Sequence, residues 1–458
     1  MSGILSALTS AGNSLQAFDN ALSNVQNNID NASTPNYANQ EVTLEPQDFS
    51  TQEGLAGGVT TGPTQSTRDE YAEQAVRSQQ QQYSGYQQTT NDLNSVQGLF
   101  DVTGQTGVPA AVAALFQAFS AWTVAPNDTG PRQQVLDAAS TVATQISETA
   151  TALNGASQSE SQQMGNAVAS INSITSQIRN LNVQMQNDYT AQNDPGVDAQ
   201  LHTALDNLSQ YTDFTALRQP DGTVTVLMGG QVPLVIGSQQ NAISANSSGA
   251  QTQILDAQGN DITAQATTGS LGAMVAMRNT TLPGYLSSLN TLAQGLADTV
   301  NSTLAGGQDL NGNPGAALFT YNAAEGAAAT LAVNPIDPTQ LAAASTTAPD
   351  GNANALALAA LATQTQPQLN GLTFSGYYGQ LATQVGQDVT TATNGQNAHQ
   401  QLLLQAQSFV ENTSGVSLDE EAAQLMQFQR SYQATAQLMV VLNDLTLDTL
   451  NILQPSLA

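Results

Sequence analysis

The chain has no cysteine and no lysine. Without cysteine there is no disulfide and no thiol chemistry, and a zinc site would depend on His202 and His399 alone, far apart in the chain. Without lysine there is no Walker A phosphate loop. Seven arginines stand against 35 acidic residues, for a net charge of -28. None of the arginines cluster, so the basic patch that neutralises nucleic-acid phosphates is missing, as is the basic face of a membrane-surface helix. Charged residues of both signs make up only 9% of the 458 residues, against roughly 25% in ordinary soluble chains. No apolar run approaches the ~18–20 residues of a membrane span. The opening "MSGILSALTSAGNSLQAFDN" has neither a positive segment nor a continuous apolar stretch, so no cleaved secretory signal is expected.

What the chain does have is helical periodicity. At its start Ile4, Leu8, Ala11, Leu15, Phe18, Leu22, Val25 and Ile29 recur at alternating intervals of four and three, the period of a coiled-coil seam. Pro35 ends the pattern, because the residue before a proline is pushed out of helical angles. Further helices are expected over Thr67 to Phe100, over "AAVAALFQAFSAW", from Pro131 with a weak point near Gly155, from Val197 to Tyr211, and from Leu271 to Leu304. Residues about 214–267 change to alternation broken by "PDG" and "MGGQ", which reads as a small β region. Residues 320–370, rich in Ala, Asn and Pro, are expected to be partly ordered at best. After Phe374 helix returns, breaks at "ENTSGVS", and restarts with Leu418, Leu425, Phe428, Tyr432, Met439 and Leu442 on one stripe. Ser417 and Glu420 form a capping-box pattern, and Asp419 to Glu421 face the positive end of the helix dipole.

The expected fold is mostly α with a small β region placed only in the middle. It is a folded-back rod of long helices whose N- and C-terminal helices pair as a coiled-coil-like terminal domain. The expected division is 1–62 with 400–458 as the terminal unit, 63–213 with 268–399 as the rod, and 214–267 as a β subregion of the rod. Burying the N-terminal seam yields on the order of 10–20 kcal/mol gross, while ordering its residues costs ~1–2 kcal/mol each. That seam needs a partner face: the final helix, a neighbouring subunit, or both.

Chemistry-bearing groups are sparse. His202 has Asp198 and Asp206 one turn either side, which would suit acid–base work but reads first as a solvated helix face. "DLNGNPG" from Asp309 starts like a calcium loop yet lacks its glycine at position six and its closing glutamate, so it reads as a turn. Trp122 reads as core. No cofactor and no metal are expected, and an enzyme with an undetected acid–base site is the weakest reading.

Two motifs carry a resemblance. "NNIDNASTPNYANQ", with Asn28, Asn31, Thr34, Pro35 and Tyr37, resembles the turn after the first helix of bacterial flagellar axial proteins (rod, hook and hook-associated). Asn36 stands where that family has glycine, and asparagine tolerates the positive φ such a turn needs. "SGVSLDEEAAQLMQFQRSYQATAQLM" resembles the end of the hook-associated proteins of the first hook–filament junction. The resemblance implies a structural protein outside the cell, at the hook–filament junction. It implies export by the flagellar type III apparatus and self-association beside hook protein and a second junction protein, with an export chaperone on the final helix. It implies no nucleic acid and no membrane insertion. The outer insertion domain of longer relatives would be absent or vestigial near 320–340. Another axial protein, such as the second junction protein or a flagellin, shares the same end-helix pattern.

Overall fold

A computed structural model describes residues 2–50, 55–101, 106–348 and 351–453. Helix α1 (Ser2–Asn31) leads through a turn to a long hairpin, β1 (Gln40–Pro46) with β4 (Val59–Ser66), whose tip carries the short pair β2 (Phe49–Ser50) and β3 (Leu55–Ala56). This corrects the expectation of β structure only in the middle of the chain. The hairpin is held on α1 by polar contacts rather than by an alternating apolar face. Ser10 Oγ donates to the Gly57 carbonyl, and Ser14 Oγ accepts from Val59 N at 3.0 Å. A bulge between Val42 and Leu44 further breaks the alternation.

Then follow α2 (Glu70–Gln97), α3 (Gly107–Trp122), α4 (Thr129–Asn187) and α5 (Pro195–Ser209). Asp69 and Asp194 cap α2 and α5 through their side chains. At 59 residues α4 is about 88 Å long. It runs unbroken through Gly155, the expected weak point. A helical glycine costs only ~1 kcal/mol, and the apolar stripes on either side anchor the helix.

Strands β5 (Phe214–Arg218), β6 (Val224–Met228), β7 (Val232–Ile236) and β8 (Gln239–Gln240) form one antiparallel sheet, and β9 (Ser244–Asn246) pairs with β10 (Gln253–Leu255). Helix α6 (Gly269–Ala276) passes through a π-helical turn, Met277–Thr281, into α7 (Leu282–Ala305). Short pairs follow: β11 (Gly307–Gln308) with β14 (Ala344–Ser345), and β12 (Phe319–Thr320) with β13 (Ala332–Val333). Helices α8 (Ala353–Ala360), α9 (Phe374–Ser414) and α10 (Leu418–Leu453) complete the described chain.

The rod has two hydrophobic cores. One collects Leu115, Phe119, Trp122, Val135, Ile146, Leu153, Leu289, Leu296 and Phe374. The other collects Met164, Ile171, Ile178, Leu201, Leu208, Val226, Ile254 and Leu271. The expectation of partial order over 320–370 is corrected for the described residues, 349–350 lying outside them: Ala328, Leu341, Ala355, Leu358 and Leu369 are buried in the first core. Arg132 fastens this region. Its guanidinium is fully buried over the Trp122 ring and donates to the carbonyls of Pro126, Pro338 and Leu341. Carbonyl acceptors this far along the chain leave no local pattern in the sequence.

Helix α9 returns antiparallel to α2. Tyr378 OH donates to Leu99 O, Gly395 sits against the Tyr86 ring, and Ser414 Oγ accepts from Asp69 N. A Cβ at Gly395 would stand 2.5 Å from that ring, so glycine permits the close approach. His399 stacks on Tyr86 one turn further on.

Candidate assembly interface

Helix α10 lies antiparallel along α1, with Met439 beside Gly12 at one end and Glu421 beside Asn28 at the other. The buried stripe of α1 is Ala11, Ser14, Ala17, Ala21, Val25 and Asn28. Small side chains let the hairpin and α10 both approach. Of the seam read from the sequence, Ala11 and Val25 are buried, while Leu8, Leu15, Phe18, Leu22 and Ile29 are half-buried.

On α10 the contact stripe is only half-buried: Leu425, Phe428, Met439 and Leu442 lie on it, together with Thr435 and Thr446. Tyr432 and Leu418 are exposed. The flanks hold apolar side chains that the sequence reading passed over. Val440 is 61% exposed, Val441 54% and Leu447 52%, with Leu438, Leu445 and Leu450 nearby in the same state. The signal was present: "QLMVVLNDLTLDTLNIL" is apolar around most of the helix, the mark of an element meant to be surrounded.

Behind this pair lies a joint built on the turn motif. Asn36 takes φ 58°, the left-handed conformation its position requires. Asn31 holds the turn by accepting from Thr34 Oγ1 and donating to Asn27 O, while Thr34 and Pro35 themselves are exposed. Asn28 is the hub. Its Nδ2 donates to Asn39 Oδ1 at 2.6 Å, Gln40 O at 2.9 Å and Glu421 Oε1 at 3.2 Å, and its Oδ1 accepts from Tyr37 OH and Gln40 N, each at 3.1 Å. Burial, with Glu421 and Asp194 adding to it, pushes the Tyr37 phenol up to about 12. Burial likewise raises the Glu421 carboxyl, reinforced by Glu420 and Glu41 against the Asn28 hydrogen bond. Glu421, one of the three carboxylates at the start of α10, also turns inward to Asn28. Ser417 Oγ accepts from Glu420 N at 3.4 Å. Backbone contacts close the joint: Asn39 N donates to Ser414 O and Thr67 N to Asn39 O.

An ionic cluster ties the joint to the rod. Arg68 binds Glu73, Asp198 at 2.7 Å and the Asn36 carbonyl at 2.7 Å. Arg77 binds Asp206 at 2.7 Å and Glu73 at 2.9 Å, and Arg218 binds Asp198 at 2.8 Å. His202 Nδ1 lies 2.7 Å from Arg77 Nη2 and against the Glu73 carboxylate. The solvated-face reading of His202 is therefore corrected. The residue is buried, because α5 packs on α2 and brings these partners to it. Burial alone would raise Glu73 and Asp198. His202, Arg68 and Arg77 hold the first below the usual carboxylate range, and Arg68, His202 and Arg218 do the same for the second. Each carboxylate here is paired with an arginine. Among the described residues no group of three or more His, Cys, Asp or Glu side chains is placed to hold a metal. The Asp309 loop is an ordinary turn, its carboxylate accepting from Asn311 N and Asn313 N. No helix among the described residues is long and apolar enough to cross a membrane.

Comparison with known proteins agrees with this architecture. The family described as "Flagellar hook-associated protein FlgK helical domain" matches residues 93–319, and "Flagellar basal body rod FlgEFG protein C-terminal" matches 406–452. Flagellar hook-associated protein 1 of Bacillus subtilis is 25% identical over 98% of this chain and 98% of its own length. Its namesake in Salmonella typhimurium is 25% identical over 70% of this chain, which spans 60% of that longer protein. The structure of the flagellar hook junction protein FlgK from Burkholderia pseudomallei superposes with a TM-score of 0.65 at 18% identity, over 73% of this chain and 99% of that one. At that identity the superposition speaks for the fold.

Proposed function

Since the chain belongs to the flagellar hook-associated protein family, we propose that its paired terminal helices are the surface by which it assembles into the flagellum. The protein is a structural component of the hook–filament junction. The observation that carries the assembly reading is the unmatched apolar surface of α10. Val440, Val441, Leu445 and Leu447 stand in solvent, and nothing among the described residues covers them. Leaving such a surface bare forgoes ~25 cal/mol per Å², and large bare apolar patches mark contact sites.

In this reading residues 1–62 with 400–458 form the inner layer of the tube. Residues 63–213 with 268–399 form the outer rod, and 214–267 its β subregion. Leu8, Leu15, Phe18, Leu22 and Ile29 of α1, with Leu418 and Tyr432 of α10, complete their burial against neighbouring subunits, hook protein below and a second junction protein above. The chain travels unfolded through the flagellar type III apparatus. A chaperone covers the apolar α10 before assembly. No catalytic role is part of the proposal. The acid–base groups around His202 are spent on their own ion pairs, which supports a structural reading.

The test is complementation of a strain of the source bacterium that lacks this protein. Wild-type chain should restore filaments, with labelled protein confined to the point where hook meets filament. A Val441→Asp, Leu445→Asp double variant that is folded and exported should leave bare hooks. Full restoration by that variant would remove α10 from the interface, and label spread along the filament would reassign the protein to another axial position.

A further inference from the structure

The two cores of the rod meet at a polar layer. Along α4 it falls between Leu153 of one core and Met164 of the other, and along α2 it lies before Leu93. Glu160 on α4 and Asp92 on α2 face each other there, only 4% and 7% exposed. Four side chains form a ring. Gln88 Nε2 donates to Asp92 Oδ1 at 2.7 Å and to Gln163 Oε1 at 3.3 Å, and Gln163 Nε2 reaches Glu160 Oε1 at 3.5 Å. The ring is left open at one place. Asp92 Oδ2 and Glu160 Oε2 are buried with no donor. Two carboxylate oxygens cannot close a hydrogen-bonded ring unless one carries a proton, and two like charges buried side by side cannot both persist.

The elements packed around the pair offer no substitute for that proton. Arg278, on the π-helical turn, is turned to Ser161 Oγ at 3.0 Å and Ala250 O at 2.8 Å. Helix α6 carries no charged residue. On α9 the groups that flank this level are Asp388, held by Tyr285 OH, and His399, held by Gln79 and the Tyr86 ring. Along α4 the nearest charged residues are Glu148 and Arg179, several turns away.

We propose that Asp92 and Glu160 share one proton, and that this proton is a clasp holding α2 to α4 at the waist of the rod. With the proton in place the ring closes and the waist is continuous with both cores. Without it two buried charges repel across the contact. The adjoining π-helical turn is the point where the helices beside the pair give way, since π turns are common sites of helix bending. The stability of the rod is thereby tied to external pH.

Burial raises both carboxyls, Glu160 further because Asp92 adds its charge, to about 8. An acid held protonated when folded and ionised when unfolded binds more protons in the native state. Stability is then lost as pH rises from its unfolded value to its folded one, here from about 4.5 to about 8.

The experiment compares the full chain with Glu160→Gln, whose amide can donate to Asp92 without needing a proton. Between about pH 5 and about pH 8 the melting temperature of the wild type should fall relative to the variant by at least about 2–4 °C. At neutral pH the infrared carbonyl stretch of a buried carboxylic acid should be present in the wild type and absent from the variant. Parallel melting profiles with no acid carbonyl band would overturn the clasp. So would a calcium- or magnesium-dependent rise in melting temperature seen in wild type alone, which would place a cation between the oxygens instead. Should Glu160→Gln fail to fold, Asp92→Asn puts the same donor on the other side and carries the same expectations.

Discussion

Helix α4 buries Val135, Val142, Ile146 and Leu153 in one core and Met164, Ile171 and Ile178 in the other. Helix α10, with a comparable supply of Leu, Val, Met and Phe, fully buries Glu421 alone among its described side chains. Sequence hydrophobicity is similar in kind; the difference is in what each helix finds within its own chain. The rod supplies partners along the whole apolar stripe of α4, through α3, α5, α6, α7 and the sheet. The terminal unit supplies α10 with α1 and little more. A helix whose apolar stripe is satisfied on one side only is stable as part of a larger object, not by propensity alone. The rod is thus complete as a folded unit, and the terminal pair becomes complete on assembly.

The largest loss is expected in the rod. Trp122→Ala empties a fully buried site and unseats Arg132, and should cost about 3–5 kcal/mol in thermal or denaturant unfolding of the isolated chain. A loss below about 1 kcal/mol would mean that the core is not the main source of rod stability. Next comes the joint. Asn28→Ala strips partners from Tyr37, Gln40 and Glu421 and should cost about 1–3 kcal/mol. The loss should show as faster amide exchange over 37–40 and 414–421 with α4 unaltered.

Acid sharpens the contrast. Glu73 and Asp198 are held below their ordinary values. Their contribution is present above the ordinary carboxylate values of 4.5 and 3.8 and is lost as pH falls through the lowered ones. Protease cleavage near the joint should rise on acidification before the rod core melts. Simultaneous loss of both would show that the ionic cluster is not a separate unit. The smallest effect belongs to the bare face of α10. Val441→Asp should move the unfolding of the isolated chain by no more than about 0.5 kcal/mol while abolishing incorporation into flagella.

Much of this was legible in the sequence. The helices of the rod follow the 3.6-residue recurrence of their apolar positions, and the β subregion follows its alternation and its glycine turns. The Asn28–Tyr37 turn was visible as a motif. Its role as a hub was not, because Glu421 reaches Asn28 across 393 residues and polar contacts of that separation leave no periodic trace. The β1–β4 hairpin was missed for a related reason. It is seated through serine hydroxyls and backbone, so its strands lack the alternating apolar face that announces a sheet. Residues 320–370 read as weakly ordered because alanine and proline carry little pattern. Arg132 and the α7–α8 surroundings supply their order from outside. His202 was misplaced because a histidine between two aspartates at helical spacing looks solvated until α2 is packed against it.

The most direct test of the central claim is hydrogen–deuterium exchange, followed by mass spectrometry, on dilute isolated chain and on protein within purified hook–junction assemblies. Slow exchange is expected across α4 in both states, and fast exchange in α10 of the isolated chain that becomes slow on assembly. Equal protection of α10 and α4 in the isolated chain, unchanged by assembly, would contradict it.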